Sequence, residues 1–128
     1  MLTDIQKWWI NEHNNTLRNA KLGRIPMQAL FDMYERYDCL NGCEKSDINQ
    51  LLIHWVDESG LHNINNDELY TALACIEKYR IISAIPAMQR LVQRLDGCVI
   101  PDNPQGYHER KKVLRKIKEL KKLKSEQS

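Results

Sequence analysis

The stretch Ser46-Asp47-Ile48-Asn49-Gln50-Leu51-Leu52-Ile53-His54-Trp55-Val56 decides the fold class. Its residues Ile48, Leu51, Leu52, Trp55 and Val56 recur at i, i+3, i+4, i+7 and i+8, the spacing that gathers them on one face of a helix. Ser46 is placed to cap this helix, and Asp47 sits at its positive end. Gly60 followed by Leu61 fits a left-handed stop with an apolar residue after it.

The same period recurs on both sides. Toward the N-terminus, Pro26 fits the first turn of a helix bearing Met27, Leu30, Phe31, Tyr34 and Tyr37, broken at Asn41-Gly42. Before it, Thr3 and Gln6 fit a capping box, in which each side chain bonds an orphan backbone N–H of the other. That first helix carries Ile5, Trp8, Trp9, Leu17 and Ala20, with polar residues 11–15 weakening its middle and Gly23 closing it. Toward the C-terminus, Asn66 caps a helix bearing Leu69, Ala72, Leu73, Ile76 and Tyr79. A break follows at Ile82 and Ser83. Ser83 caps a fifth helix, with Pro86 tolerated in its first turn, Met88, Leu91, Val92 and Leu95 inward, and Gly97 at its end.

The pattern predicts an all-α protein: a five-helix, bundle-like body over 1–97, a Pro/Gly linker over 98–106, and a basic amphipathic C-terminal helix or tail over 107–128. Residue usage agrees. Leu and Ile number 15 and 12, whereas the strand-favouring Val and Thr number 4 and 3. A chain of 128 residues that is 42% hydrophobic is of single-domain size. No apolar run approaches the ~20 residues of a membrane span, so no membrane partner is expected. The N-terminal residues lack a charged-then-apolar leader pattern, and Cys39, Cys43, Cys75 and Cys98 carry no disulfide framework. Both features point to a reduced, cytoplasmic setting.

Charge is segregated. Residues 106–128 hold nine basic residues against three acidic ones, net +6, which leaves 1–105 at net −4 within an overall +2. The basic residues are Arg110, Lys111, Lys112, Arg115, Lys116, Lys118, Lys121, Lys122 and Lys124. They lie on several faces around a thin seam of Val113, Leu114, Ile117, Leu120 and Leu123. Such a block suits a solvated terminus, a docking helix, or contact with a phosphate backbone driven by counterion release. Most of the acidic excess lies between Asp32 and Glu68.

The fourth and fifth helices, with the break between them, have a helix-turn-helix outline. Gln89, Arg90, Gln93 and Arg94 would then face outward, and Gln and Arg are the side chains that pair with adenine and guanine edges. The absence of a glycine from the turn counts against that reading.

Catalytic and metal chemistry are weakly represented. Cys39 and Cys43 form a C-x3-C pair, with His54 and His62 downstream, but the second pair lacks the tight spacing of a structural zinc site. No nucleophile elbow, phosphate-binding glycine loop or paired catalytic constellation occurs. No enzyme activity, metal, cofactor or small-molecule substrate is expected.

The sequence therefore favours a non-enzymatic nucleic-acid-binding regulator or accessory protein that uses the basic C-terminal helix, with Gln89, Arg90, Gln93 and Arg94 as further contacts. The alternative is a protein-binding adaptor, inhibitor or homodimer. It would act through the acidic face, with Asp57, Glu58 and Glu68, or through the adjacent Trp8 and Trp9, which cannot both enter one core.

Overall fold

The structure, a computed structural model, describes residues 2–21, 26–58, 67–96 and 104–127, with side chains for 2–18, 28–58, 68–94 and 111–125. Among the described residues there are six α-helices and one 3-10 turn, and no strand: the protein is all-α. Contacts divide the chain into two compact units, Met1–Leu51 and Leu52–Ser128. The expected stops at Gly23, Gly60 and Gly97, the expected cap Asn66, and residues 98–103 of the expected linker lie outside the described residues.

In the first unit, α1 spans Asp4–Lys21. It opens on the expected capping box: the Thr3 N–H donates to Gln6 Oε1 at 3.0 Å, and the Gln6 N–H donates to Thr3 Oγ1 at 3.2 Å. The polar middle does not break this helix. Its buried line is Gln6, Trp9, His13 and Thr16, with Ile5, Trp8 and Leu17 only half-buried. Burial of Gln6 and Thr16 is tolerated because their polar atoms find partners, whereas Trp9 Nε1 is buried with no hydrogen-bond partner. Gln6 Nε2 donates to the Asp47 carbonyl at 2.8 Å, and Thr16 Oγ1 donates to the His13 carbonyl at 2.8 Å.

The second helix, α2, spans Pro26–Asp38, with proline at its first position as expected. It packs on α1. Its inward line is Leu30, Met33 and Tyr37, at i, i+3 and i+7. This register puts Phe31 outside, 51% exposed, with its ring 6.1 Å from the half-buried Tyr34. Both had been expected to share the apolar face.

The third helix, α3, spans Gly42–Glu58 and crosses the boundary between the units. It starts four residues before the expected cap, Ser46, which is an exposed residue inside it. The cause is a second reciprocal box. Asn41 Oδ1 accepts from the Glu44 N–H at 2.8 Å, and Glu44 Oε1 accepts from the Asn41 N–H at 3.0 Å. Asn41-Gly42 is thus a helix start where the sequence suggested only a break.

In the second unit, Leu52, Trp55 and Val56 at the end of α3 are buried. The fourth helix, α4, spans Asp67–Tyr79 and buries Leu69, Ala72, Leu73, Cys75 and Ile76. Burial pushes the Cys75 thiol up to about 12, so it remains a protonated packing group. The break after α4 is a Schellman stop: the Ile81 N–H donates to the Ile76 carbonyl at 3.0 Å, and the Arg80 N–H donates to the Glu77 carbonyl at 3.4 Å. The residue in the left-handed position is Arg80, with φ 54°. Ile81 follows it and is buried, as is Ile76.

A 3-10 turn at Ile82–Ala84 then leads into α5, Ile85–Asp96. The expected Ser83 cap is instead an exposed residue within that turn. Pro86 is the second residue of α5, where a missing N–H is harmless. Ile85, Ala87, Met88, Leu91 and Val92 are buried.

The last helix, α6, spans Pro104–Gln127 and packs along α5, the 3-10 turn and α4. Val113, Ile117 and Leu120 are buried, Leu123 is half-buried, and Leu114 is exposed. The basic helix is therefore part of the second unit, and removing it would strip apolar cover from α5. Leu120→Ala is expected to cost about 2–4 kcal/mol in thermal or denaturant unfolding, as for a large-to-small core change. Leu114→Ala should fall within about 0.5 kcal/mol. Equal, small effects of both would show that α6 is not packed in solution.

Candidate nucleic-acid interface

With 24 residues, α6 is about 36 Å long. Its buried seam fixes which side faces water. At about 100° per residue, Lys111, Arg115, Lys118 and Lys122 fall within about 60° of one another, on the line opposite Val113, Ile117 and Leu120. All four are exposed. They follow at i, i+4, i+7 and i+11, so the rise between neighbours is about 4.5–6 Å and the stripe is about 16 Å long. Glu119, also exposed, stands beside the line, one turn from Arg115 and from Lys122.

Lys112 and Lys121 flank this line, whereas Lys124 falls on the side of the seam, near the end of the helix. Lys112, Lys121 and Lys124 are exposed. Lys116, on the flank toward α4, is half-buried and ion-pairs with Glu77. The side chain of Arg110 lies outside the described residues.

The stripe is electrostatically unfavourable in isolation. Three like-charged neighbours at i,i+3 or i,i+4 each cost about 0.2–0.5 kcal/mol at low salt. A polyanion laid along the stripe would relieve that repulsion and release condensed counterions. Lysine contributes point charges without the planar fork of arginine, which suits phosphate contact more than base reading.

The outward residues of α5 are used differently. Gln89 and Gln93 are exposed. Arg90 grips Asp57 with two nitrogens: Nε donates to Oδ1 at 2.8 Å and an NH2 nitrogen donates to Oδ2 at 2.9 Å. Arg94 donates to the Val56 carbonyl at 2.6 Å, supplying a donor to the end of α3, where carbonyls lack helical partners. Both arginines thereby tie α5 to the last turn of α3.

The acidic and aromatic candidates are also placed. Asp57 lies on Arg90, and the hydrogen bonds from that guanidinium hold its carboxyl below the usual carboxylate range; partial burial opposes the shift, and the charges of Arg90, Arg94 and His54 add to it. Glu58 lies 3.6 Å from His54 one turn earlier. Glu68 is exposed near the start of α4. Trp9 is fully buried, edge-on to Tyr37 at 6.3 Å, and Trp8 is half-buried.

Cys39 and Cys43 are exposed free thiols. Among the described residues no group of three or more His, Cys, Asp or Glu is arranged to hold a metal ion, and His62 lies outside those residues. No helix among the described residues is long and apolar enough to cross a membrane.

What the sequence did not show is that Arg80 takes the left-handed position of the α4 stop. Its signal was the same break without a glycine that counted against a helix-turn-helix. No protein-family model matches the chain, and neither a curated protein nor a solved structure matches it.

The Asp57–Arg90 pair has a pH signature. Because the folded carboxyl titrates below its unfolded value, the stabilisation is fully present above the unfolded value of about 4. It is lost as pH falls through the folded value. Asp57→Asn should therefore lower the melting temperature at pH 7, and the gap to wild type should close in acid. A gap independent of pH would show that the pair contributes packing alone.

Proposed function

We propose that this protein binds nucleic acid without sequence preference, through phosphate contacts made by the outward stripe of α6. The observation that carries the proposal is the alignment of Lys111, Arg115, Lys118 and Lys122 on the face opposite the buried seam. A strand of phosphates matches the line in charge and in the scale of its spacing. The tie of Arg90 and Arg94 to α3 supports sequence-tolerant binding over major-groove readout by α5. The protein acts as an accessory or regulatory factor with no reaction of its own.

The adaptor reading has less support. It draws on Asp57, Glu58, Glu68, Trp8 and Trp9: Asp57 is held by Arg90, Glu58 lies near His54 and Trp9 is buried, while Glu68 is exposed and Trp8 half-buried.

The test is a triple variant, Lys111→Ala, Arg115→Ala and Lys118→Ala. Alanine is a strong helix former, so α6 should persist. Fluorescence anisotropy across a salt series is expected to show weaker binding to every sequence. The slope of log affinity against log salt should be shallower by about 2 on single strands. An unchanged slope would remove α6 from the interface.

A further inference from the structure

We propose that the cleft between the end of α4 and α6 receives one unstacked nucleotide of a bound single strand, and that Arg80 anchors it. This inference rests on the phosphate-stripe reading, which it extends to a substrate class. The cleft has a volume of about 420 Å³. That lies within the usual range of small-ligand sites and suits a single nucleotide.

Arg80 is the first reason. A Schellman stop needs only the left-handed backbone, which glycine adopts freely and an L side chain adopts against a steric penalty. The chain keeps a long arginine there, at φ 54°, with its side chain exposed on the cleft. The negative end of α4 does not account for it, because Lys78 already places a cation in the last turn. What arginine adds is a planar guanidinium that stacks on a base or holds a phosphate with two donors.

Continuity is the second reason. Lys122 is the last cation of the outward stripe and also lines the cleft. A strand tracking the stripe is thus delivered to its mouth. Lys116 is neutralised there by Glu77, which leaves Arg80 and Lys122 as the facing cations.

The lining chemistry is the third. The half-buried Leu123 offers an apolar patch to the face of a base, with the buried Leu120 beneath it. Glu119 on the cleft wall accepts from base or sugar donors and repels a second phosphate, which orients the nucleotide with its phosphate toward Arg80 and Lys122. A base paired within a duplex cannot enter, so the cleft selects single strands.

The test uses full-length wild type and Arg80→Gly, each titrated with labelled oligo-dT, oligo-rU and a duplex, all of about 12 nucleotides or base pairs. Thermal melts are recorded in parallel. Glycine relieves the backbone and deletes the guanidinium, so the two readouts should move in opposite directions. The melting temperature is expected to rise by about 4 °C. Single-strand affinity should fall about tenfold while duplex affinity stays unchanged. Loss on oligo-rU alone or oligo-dT alone assigns the strand type.

An Arg80→Gly protein that binds single strands like wild type overturns the cleft proposal and leaves the stripe intact. A melting temperature that does not rise also overturns it, because Arg80 would then be kept for the fold. A wild type that binds none of the three probes overturns the stripe and the cleft together.

Discussion

The seam of Val113, Ile117 and Leu120 holds α6 in one rotational setting within the second unit. Each such side chain removed from water contributes about 1.5–3 kcal/mol, an upper range because the unfolded chain already buries some of it. Like-charge repulsion between neighbours on the opposite face costs about 0.2–0.5 kcal/mol per pair. Burial therefore outweighs repulsion several-fold, and the helix can carry an unfavourable line of cations in a fixed direction. Without the seam, the same residues would be a frayed basic end with no defined face.

Arginine and lysine divide the work along physical lines. Arg36, Arg90 and Arg94 have bonds to protein acceptors: Glu12, Asp57 and the Val56 carbonyl. Their rigid forks tie one helix to another, α2 to α1 and α5 to the end of α3. The α6 lysines Lys118, Lys121, Lys122 and Lys124 are exposed, and a lysine is a compact point charge, the form suited to a sequence-tolerant phosphate contact. Arg80 departs from this division. It is exposed, it occupies a strained backbone position, and it lies beside the end of the lysine stripe.

Much of the fold was legible in the sequence where apolar spacing was dense. The α3 and α4 stripes, the Thr3–Gln6 box and proline at the start of α2 follow from local chemistry alone. Reading failed where tertiary partners decide. The polar run in α1 looked like a weak point, yet His13 and Thr16 are buried on its inward line. Asn41-Gly42 interrupts the apolar period and so reads as a terminator, yet Asn41 and Glu44 form a reciprocal box there that opens α3. The nine basic residues were readable as a block. Their division into an outward line and flanks was not, because that depends on which seam residues are buried: Leu114 belonged to the sequence seam but faces water. The bonds of Arg90 and Arg94 join residues more than thirty positions apart, beyond any local pattern.

The central claim is that the outward stripe of α6 is the contact surface. Backbone amide shifts of the full-length protein, followed by NMR during titration with an unlabelled single-stranded oligonucleotide at fixed salt, test it most directly. The account predicts saturable shifts at Lys111, Arg115, Lys118 and Lys122, extending to Arg80, with α1 and α2 unmoved. Shifts centred on Trp8, Phe31 and Tyr34, or none at all, would contradict it.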